Sequence, residues 1–231
     1  MDAGLQELGV ALSPDARDAI DGHVRLLLAW NAAINLTAVR DPVEVARRHV
    51  LDSLAAIPEL RRLGVRAFVD IGSGGGFPGI PLAAALPAEH SVLVESIRKK
   101  AGFLETVAAA TGLSNVRVEA RRAEDLAAEA VHRERWPAVL ARAVGGLAEL
   151  VELAFPLLER RGSLIAWKGD LPDDELEAGR RAVDAMGGGR VRIVPAGTRS
   201  LPGHRLVVAT KRDRTGEAYP RSPSARRRRP W

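Results

Sequence analysis

The stretch Phe68-Val-Asp-Ile-Gly-Ser-Gly-Gly-Gly-Phe-Pro-Gly-Ile-Pro81 joins a short apolar run to a segment with a helical pattern. Glycine lacks a Cβ atom, so such a loop can turn tightly and its backbone can approach a ligand closely. Gly72, Gly74 and Gly76 hold its first, third and fifth positions. Phe77 holds the sixth, where the dinucleotide fingerprint has glycine. We therefore expect a nucleotide-type site that does not seat a pyrophosphate, which disfavours a nicotinamide oxidoreductase.

Strand-like and helix-like segments alternate from Arg66 onward. The apolar runs are Ala67 to Ile71, Ser91 to Glu95, Val116 to Ala120, Val139 to Ala141 and Leu164 to Trp167, and the helical stretches lie near 79–86, 98–111, 123–132, 146–159 and 173–186. This alternation predicts a Rossmann-like α/β fold with a parallel sheet covered on both faces. Val191 to Pro195 and His204 to Lys211 follow with no room for a crossover helix. They predict an antiparallel hairpin that ends a seven-stranded sheet.

Helical patterns also fill the first 60 residues. Ser13-Pro14 is typical of a helix start, and apolar residues recur at helical spacing up to Asn35. A second helix is predicted after Asp41-Pro42, with Val43 on its buried face and its end by Pro58. We therefore expect an N-terminal helical cap over residues 1–60 and a cofactor-binding domain over residues 61–211.

The basic excess is confined to the last 20 residues, here called the C-terminal arm (212–231). The arm holds seven arginines and two acidic residues, which accounts for the whole formal net charge of +5. It lacks apolar periodicity, and the pattern predicts a disordered segment. Such an arm either attracts phosphates without sequence preference or serves only as a solvated tail, and charge alone leaves both open.

Composition narrows the chemistry. The chain has no cysteine, which excludes disulfides, thiolate zinc sites and a cysteine nucleophile. Its five histidines show no metal-ligand spacing, so we expect no metal. No apolar run is long enough to span a bilayer and the start is acidic, so we expect a cytoplasmic protein without a membrane partner.

Acidic residues accompany the glycine loop. Asp70 lies two residues before its first glycine, and Glu95 ends the second predicted strand, where a carboxylate can accept hydrogen bonds from both ribose hydroxyls of an adenosine. After the third strand, Ala123 and Glu124 are placed to contact the adenine edge. Carboxylates and backbone groups suit S-adenosylmethionine, which carries a sulfonium and an ammonium but no phosphate. A methyltransferase site is therefore predicted.

The chain resembles the bacterial 16S ribosomal RNA guanine-N7 methyltransferases, also called glucose-inhibited division protein B (GidB), from about residue 20 to 211. The Phe-Pro-Gly-Ile-Pro continuation of the loop is much more specific to this family than the glycines before it. The other matching pieces are Trp30–Asp41, Arg48–Ser53, Glu95–Leu104, Gly112–Val116, Arg142-Ala143, Trp167–Gly169 and Arg205–Val208. The resemblance implies a class I S-adenosylmethionine-dependent fold. It also implies methyl transfer to N7 of a guanine in 16S rRNA, and cofactor contacts at Gly72, Phe77, Ala123, Glu124 and Arg142.

Guanine N7 carries a lone pair and no proton, so no general base is required, and we assign no certain catalytic residue. The candidates for positioning the guanine are Asn35, Thr37, Arg142 and Lys168, with Asp52 and Ser53 also on the predicted cleft side. The candidates for RNA binding are Arg40, Arg47, Arg48, His49, Arg98, Lys99 and Lys100. The expected partner is 16S rRNA or the 30S subunit, and the expected state is a monomer.

Two other functions compete with rRNA methylation. A small-molecule methyltransferase would share the cofactor fold, since the fold does not specify the acceptor. It would have an enclosed apolar acceptor pocket and an activity that changes little with salt. An RNA-binding protein without catalysis would fail to bind S-adenosylmethionine.

Overall fold

A computed structural model describes residues 1–142 and 145–231; Ala143, named among the matching pieces, lies outside the described residues. The strands are β1 Ala67–Ile71, β2 His90–Val94, β3 Val116–Glu119, β4 Trp136–Arg142, β5 Leu158–Lys168, β6 Gly189–Pro195 and β7 Arg205–Lys211. They form one seven-stranded sheet in the order β3-β2-β1-β4-β5-β7-β6. Chain order reverses between β1 and β4, and ligands of open α/β sheets bind outside the carboxyl ends of strands at such a point.

The pairing confirms the predicted fold. Strands β1 to β5 run parallel, whereas β7 lies antiparallel to both β5 and β6. β5 begins at Leu158, inside the helix predicted for 146–159, because Leu158 pairs with Trp136 in the sheet. That helix is shorter than predicted and spans Leu147–Ala154.

Helices cover both faces of the sheet. They are α1 Asp2–Glu7, α2 Pro14–Ile34, α3 Pro42–Val45, α4 Asp52–Leu54, α5 Ile57–Arg62, α6 Gly79–Ala85, α7 Arg98–Ala110, α8 Ala123–Ala128, α9 Leu147–Ala154, α10 Asp173–Ala185 and α11 Pro223–Arg228. Alternate residues of a strand point to opposite faces. Phe68 accordingly packs in one core with α2, α6, α7 and the N-terminal helices, and Val69 packs in the other with α8, α9 and α10. The predicted cap thus shares a hydrophobic core with the sheet.

The predicted second helix of the cap is interrupted. A π-helical segment, Ala46–Leu51, separates α3 from α4, and Pro58 lies in the first turn of α5 rather than at a helix end. Proline is tolerated there because first-turn amides lack intrahelical acceptors. The π turn shifts the face of the helix, and Val43, predicted to be buried, is 72% exposed. π turns often mark functional positions, and this one carries His49.

The prediction of a disordered C-terminal arm is wrong. The arm contains α11, and Tyr219 and Trp231 pack against the core on the α9 side of the sheet. Fully buried Glu152 on α9 accepts hydrogen bonds from the Arg221 backbone and guanidinium and from Trp231 Nε1. The composition of the arm alone indicated disorder. The acidic residue that holds the arm, Glu152, lies about 70 residues earlier in the chain and so gave no local signal.

No helix in the described part of the chain is both long and apolar enough to cross a membrane.

Candidate active site

A cavity of about 170 Å³ opens at the carboxyl ends of β1 and β2. We call it the cofactor cavity. Its lining combines the end of β1, the residues after β2, the start of α8, part of α9 and one residue of the arm: Ile71, Gly72, Val94, Ser96, Arg121, Arg122, Ala123, Glu124, Glu149, Leu153 and Arg226. The cavity thus brings together three of the predicted cofactor contacts, Gly72, Ala123 and Glu124.

The glycine loop borders the cavity in a conformation that only glycine adopts easily. Gly72, Gly74 and Gly76 have φ angles of 70°, 55° and 90°. Gly72 also donates its amide to Val94 O at 2.9 Å, which fixes the loop to the end of β2. A Cβ on Gly76 would stand 2.8 Å from His23 Nε2. Gly76 therefore permits close packing below the loop, while Gly72 lines the ligand side.

Glu95 braces the same loop. Its Oε2 accepts from Gly74 N at 3.0 Å and its Oε1 from Ile97 N at 2.8 Å, and the residue is 6% exposed. Each carboxylate oxygen has two acceptor sites, so capacity remains for ribose hydroxyls. Glu95 itself does not line the cofactor cavity, but its neighbours Val94 and Ser96 do, so Glu95 lies beside the cavity just after β2.

Asp70 is fully buried beneath the loop. Its Oδ2 accepts from Gly79 N at 3.1 Å, whereas Oδ1 has no hydrogen-bond partner. Burial raises the pKa of Asp70 to about 7, against hydrogen bonds that favour the carboxylate. An orphaned carboxylate oxygen at this depth is costly, and it suggests a cationic group above the loop.

These groups fit S-adenosylmethionine. The glycine loop, residues 72–79, carries no cationic side chain that would hold a phosphate. Carboxylates at Asp70, Glu95 and Glu124 stand around it instead. Across residues 1–142 and 145–231, no group of three or more potential ligand side chains is arranged to hold a metal ion.

The far end of the loop contacts a second set of polar residues, here called the acceptor cluster: Thr37, His49, Asp52, Arg142 and His204. Phe77 is 6% exposed and packs against both His49, at 5.0 Å between ring centroids, and the Arg142 guanidinium, at 5.4 Å from its ring centroid. Phe77 and Arg142 were expected to contact the cofactor, but both lie outside the cavity lining: Arg142 belongs to the cluster and Phe77 packs against it. Phe77 connects the glycine loop to the cap.

Hydrogen bonds in the cluster have a definite direction. Burial and the charge of Arg142 lower the pKa of His49 to about 4, so its ring is neutral near pH 7. Arg142 donates to His49 Nδ1 at 3.0 Å, which leaves the proton on Nε2, and Nε2 donates to Thr37 Oγ1 at 2.8 Å. Val39 N also donates to Thr37 Oγ1. Thr37 therefore has its hydroxyl proton available for another acceptor.

Asp52 ties the cluster to three parts of the fold. Its carboxylate accepts from Arg142 at 2.9 Å and from His204 Nδ1 at 2.7 Å, and its backbone oxygen accepts from Trp167 Nε1 at 2.8 Å. Asp52 is 6% exposed. Cap, β4, β5 and the β6–β7 connection are thus fixed around a single carboxylate.

The remaining positioning candidates lie elsewhere. Asn35 is the exposed C-cap of α2, with φ 55°, and Asn31 instead organises the turn by bonding Leu36 and Thr37. Lys168 ends β5 but pairs with Glu175 of α10 at 2.6 Å. Neither side chain belongs to the acceptor cluster.

The predicted RNA-binding residues form two groups besides His49. Arg47 and Arg48 pair with Glu44 at 2.7 Å, and Arg40 is exposed nearby. Arg98 and Lys99 are exposed at the N-terminus of α7, with Lys100 partly buried beside them. Glu44 partly neutralises the charge of Arg47 and Arg48. The group at the start of α7 therefore offers more positive charge to phosphates.

Sequence reasoning missed His23, His204 and Trp167 as parts of the site. His23 is fully buried, donates from Nε2 to Gly75 O at 2.7 Å, and packs 4.6 Å from Phe77. Burial lowers the pKa of His23 to about 4, which keeps the ring neutral. A lone histidine in an apolar helix stripe gives no signal for this contact.

Solved structures confirm the fold class. The chain is similar to an O-methyltransferase from Bacillus cereus in complex with SAH, with a TM-score of 0.58 and 17% identity over 82% of this chain and 90% of the other. A SAM-dependent O-methyltransferase from Thermotoga maritima gives 0.54 and 16% identity over 83% of this chain and 73% of the other.

Sequence relatives give the family. The chain is 41% identical to the ribosomal RNA small subunit methyltransferase G of Deinococcus deserti, over 95% of this chain and 90% of that protein. It is 34% identical to the protein of the same name from Bacillus pumilus, over 96% and 93%. Residues 17–201 match the family described as GidB, rRNA small subunit methyltransferase G. The chain belongs to this rRNA small subunit methyltransferase G family.

Proposed function

We propose that the protein transfers the methyl group of S-adenosylmethionine to N7 of a guanine in 16S rRNA. The observation that carries the proposal is the arrangement of two sites around one glycine loop: Gly72 lines the cofactor cavity, and Phe77 contacts the acceptor cluster. A methyl group and an acceptor base held at these places would meet at the loop. Family membership supplies the class of acceptor.

Methyl transfer to guanine N7 mainly requires correct positioning of the two reactants. S-adenosylmethionine supplies an electrophilic methyl group on its sulfonium. Guanine N7 is already nucleophilic, so the protein must align the lone pair with the methyl–sulfur bond, and good orientation can lower such a barrier by roughly 7 to 11 kcal/mol. The reaction needs no general base, and the neutral His49 ring serves the cluster through its hydrogen bonds.

Thr37 is the group of the cluster best suited to orient the base. Its hydroxyl accepts from His49 and Val39, so its proton can be donated to guanine O6, the acceptor beside N7. The Arg142-to-His49 hydrogen bond fixes this direction because it prevents His49 Nε2 from acting as an acceptor. N7 itself would then stay free for the methyl group.

Exposed cations would hold the RNA backbone. Arg98 and Lys99 at the start of α7 are the strongest candidates, and Arg40, Arg47 and Arg48 on the cap are the others. Phosphate contacts orient a nucleic acid without reading its sequence. We propose binding of 16S rRNA within the 30S subunit by a monomeric enzyme.

Methyl transfer tests the function directly. Labelled S-adenosylmethionine is incubated with 16S rRNA and 30S subunits from cells lacking the protein, and the nucleosides are analysed by mass. A single 7-methylguanosine is expected. Label in another nucleoside, or none in RNA despite cofactor binding by calorimetry, contradicts the proposal and favours a small-molecule acceptor or a non-catalytic role.

A pair of variants tests the role of Thr37. Thr37→Val removes the hydroxyl at similar volume and should lower kcat roughly tenfold, the effect of losing one well-placed hydrogen bond. Thr37→Ser keeps the hydroxyl and should stay near the parent rate. Cofactor affinity, measured by calorimetry, should be unchanged in both. Equal rates for the two variants would remove the hydroxyl from the mechanism.

A further inference from the structure

The C-terminal arm reaches into the cofactor cavity. Arg226 of α11 is a lining residue, its side chain is 10% exposed, and its guanidinium bonds to Glu124 Oε1. Its Nε faces Glu149 Oε1 at 3.5 Å. Glu124 is the residue expected at the adenine edge. A side chain from outside the matched family region, 17–201, thus holds a carboxylate of the cofactor site.

A firm anchor holds Arg226 in place. Glu152 is fully buried, and both of its oxygens receive hydrogen bonds from Arg221, with a further one from Trp231 Nε1 at 2.7 Å. Burial alone would raise the pKa of Glu152, but these hydrogen bonds outweigh it and lower the pKa. The Arg221 guanidinium also lies 4.7 Å from the Trp231 ring centroid. The arm is therefore docked by specific contacts on α9.

Arg226 itself is incompletely satisfied where it sits. Its Nη2 donates to Glu124 and its Nη1 donates to Arg221 O at 2.8 Å, but its buried Nε, 3.5 Å from Glu149 Oε1, makes no hydrogen bond. An unmade hydrogen bond on a buried cation is unfavourable. Arg226 makes one hydrogen bond to Glu124, whereas Glu152 receives four from Arg221 and Trp231. The α11 part of the arm therefore has fewer hydrogen bonds to break than the anchor.

The space in the cavity is also limited. With Arg226 in place the cavity holds about 170 Å³, whereas pockets for small-molecule ligands commonly hold roughly 300 Å³ or more. We infer that Arg226 is an autoinhibitory residue of the cofactor site, which competes with S-adenosylmethionine for Glu124 and must withdraw when the cofactor binds. The inference rests on the proposed function for the identity of the ligand.

RNA phosphates are the ligand class suited to release the arm. Arg227, Arg228 and Arg229 follow Arg226 and are exposed, so they present positive charge beside the cavity. A polyanion that binds them gains favourable free energy by releasing counterions. The same binding would draw α11 away from Glu124, and cofactor entry would then be favoured when RNA is present.

Matched variants of neighbouring arginines test the competition. Arg226→Ala should bind S-adenosylmethionine roughly fivefold more tightly, as expected for removal of a competing ion pair worth about one hydrogen bond. The gain should come from faster association, measured by stopped flow. Arg227→Ala changes the same net charge on the same helix but leaves the cavity intact, and its cofactor affinity should match the parent. An Arg226→Ala protein that binds the cofactor equally or more weakly overturns the inference.

Two further measurements need no variant in the cavity. Hydrogen exchange of α11, Pro223–Arg228, should increase when S-adenosylmethionine binds the parent protein, whereas the Arg221 amide, bonded to Glu152, should stay protected. Unchanged protection of α11 would contradict its withdrawal from Glu124. A 16S rRNA fragment should tighten cofactor binding in the parent but not in Arg226→Ala, and no effect on the parent rules out RNA as the releasing ligand. The comparison of Arg226→Ala with Arg227→Ala is made without RNA and tests only the competition for the cofactor site. Failure of the proposed function would appear instead as absence of methyl transfer to RNA.

Discussion

Arg142→Ala should lower the rate of methyl transfer to 16S rRNA at least about a hundredfold, while the variant stays folded and still binds S-adenosylmethionine. Arg142 bonds Asp52 at 2.9 Å and His49 at 3.0 Å, and its guanidinium lies over Phe77. Its removal frees His49 to reorient, so the hydrogen bond that sets the direction of the Thr37 hydroxyl is lost. Cofactor affinity should change little because Arg142 does not line the cofactor cavity.

Stability should fall as well, by about 2 to 3 kcal/mol, since the change leaves a largely buried Asp52 carboxylate with His204 as its remaining side-chain partner. The pKa of His49 should rise, because the charge of Arg142 is the second cause, after burial, that lowers it. NMR titration of the His49 ring measures this rise. Arg135→Ala, an exposed arginine just before β4, is the matched control and should change neither rate nor pKa. Retention of more than about a tenth of the parent rate by Arg142→Ala would rule out the positioning role.

The fold was largely predictable because its signals are local. Alternating apolar runs and helical stretches identify a parallel sheet, and the short link before His204 identifies the terminal hairpin. The interruption of the cap helix at Ala46–Leu51 was not predictable, because a π turn leaves no pattern distinct from an α-helix. Strand order was beyond the sequence too, since it depends on which segments pair across the molecule.

The site divides in the same way. Gly72, Ala123 and Glu124 could be assigned to one cavity because strand ends of a parallel sheet meet at the same edge. His204 and Glu152 could not, since each acts through a partner far along the chain: Asp52 for His204, and Arg221 for Glu152. The arm was assigned to disorder for the same reason. Its composition is that of an unfolded segment, and its stability comes from acidic residues on the body.

The buried position of the Asp70 carboxylate opposes stability. Its pKa is raised to about 7 from the ordinary value of 3.8, chiefly by burial. The folded protein therefore binds more protons than the unfolded chain between these values, and stability falls as pH rises through the window from about 4 to 7. Above that window the buried charge costs on the order of 4 kcal/mol. Such a cost is expected where a charge serves a ligand rather than the fold.

Asp70→Asn should consequently be more stable than the parent at about pH 8, because it removes the buried charge. The expected gain is roughly 1 to 3 kcal/mol, since a buried amide group without a hydrogen-bond partner offsets part of it. The advantage should vanish near pH 4, and urea denaturation at both pH values measures it. Ser91→Ala, which removes another buried side-chain oxygen without a partner but no charge, should change stability equally at both. Asp70→Asn should also bind S-adenosylmethionine at least about tenfold more weakly, since a neutral amide does not attract its cationic end. A variant that is less stable at pH 8, or that binds the cofactor normally, would mean that the carboxylate of Asp70 is retained for the loop alone. Greater stability with weaker binding would mean that the charge is maintained for the cofactor at the expense of the fold.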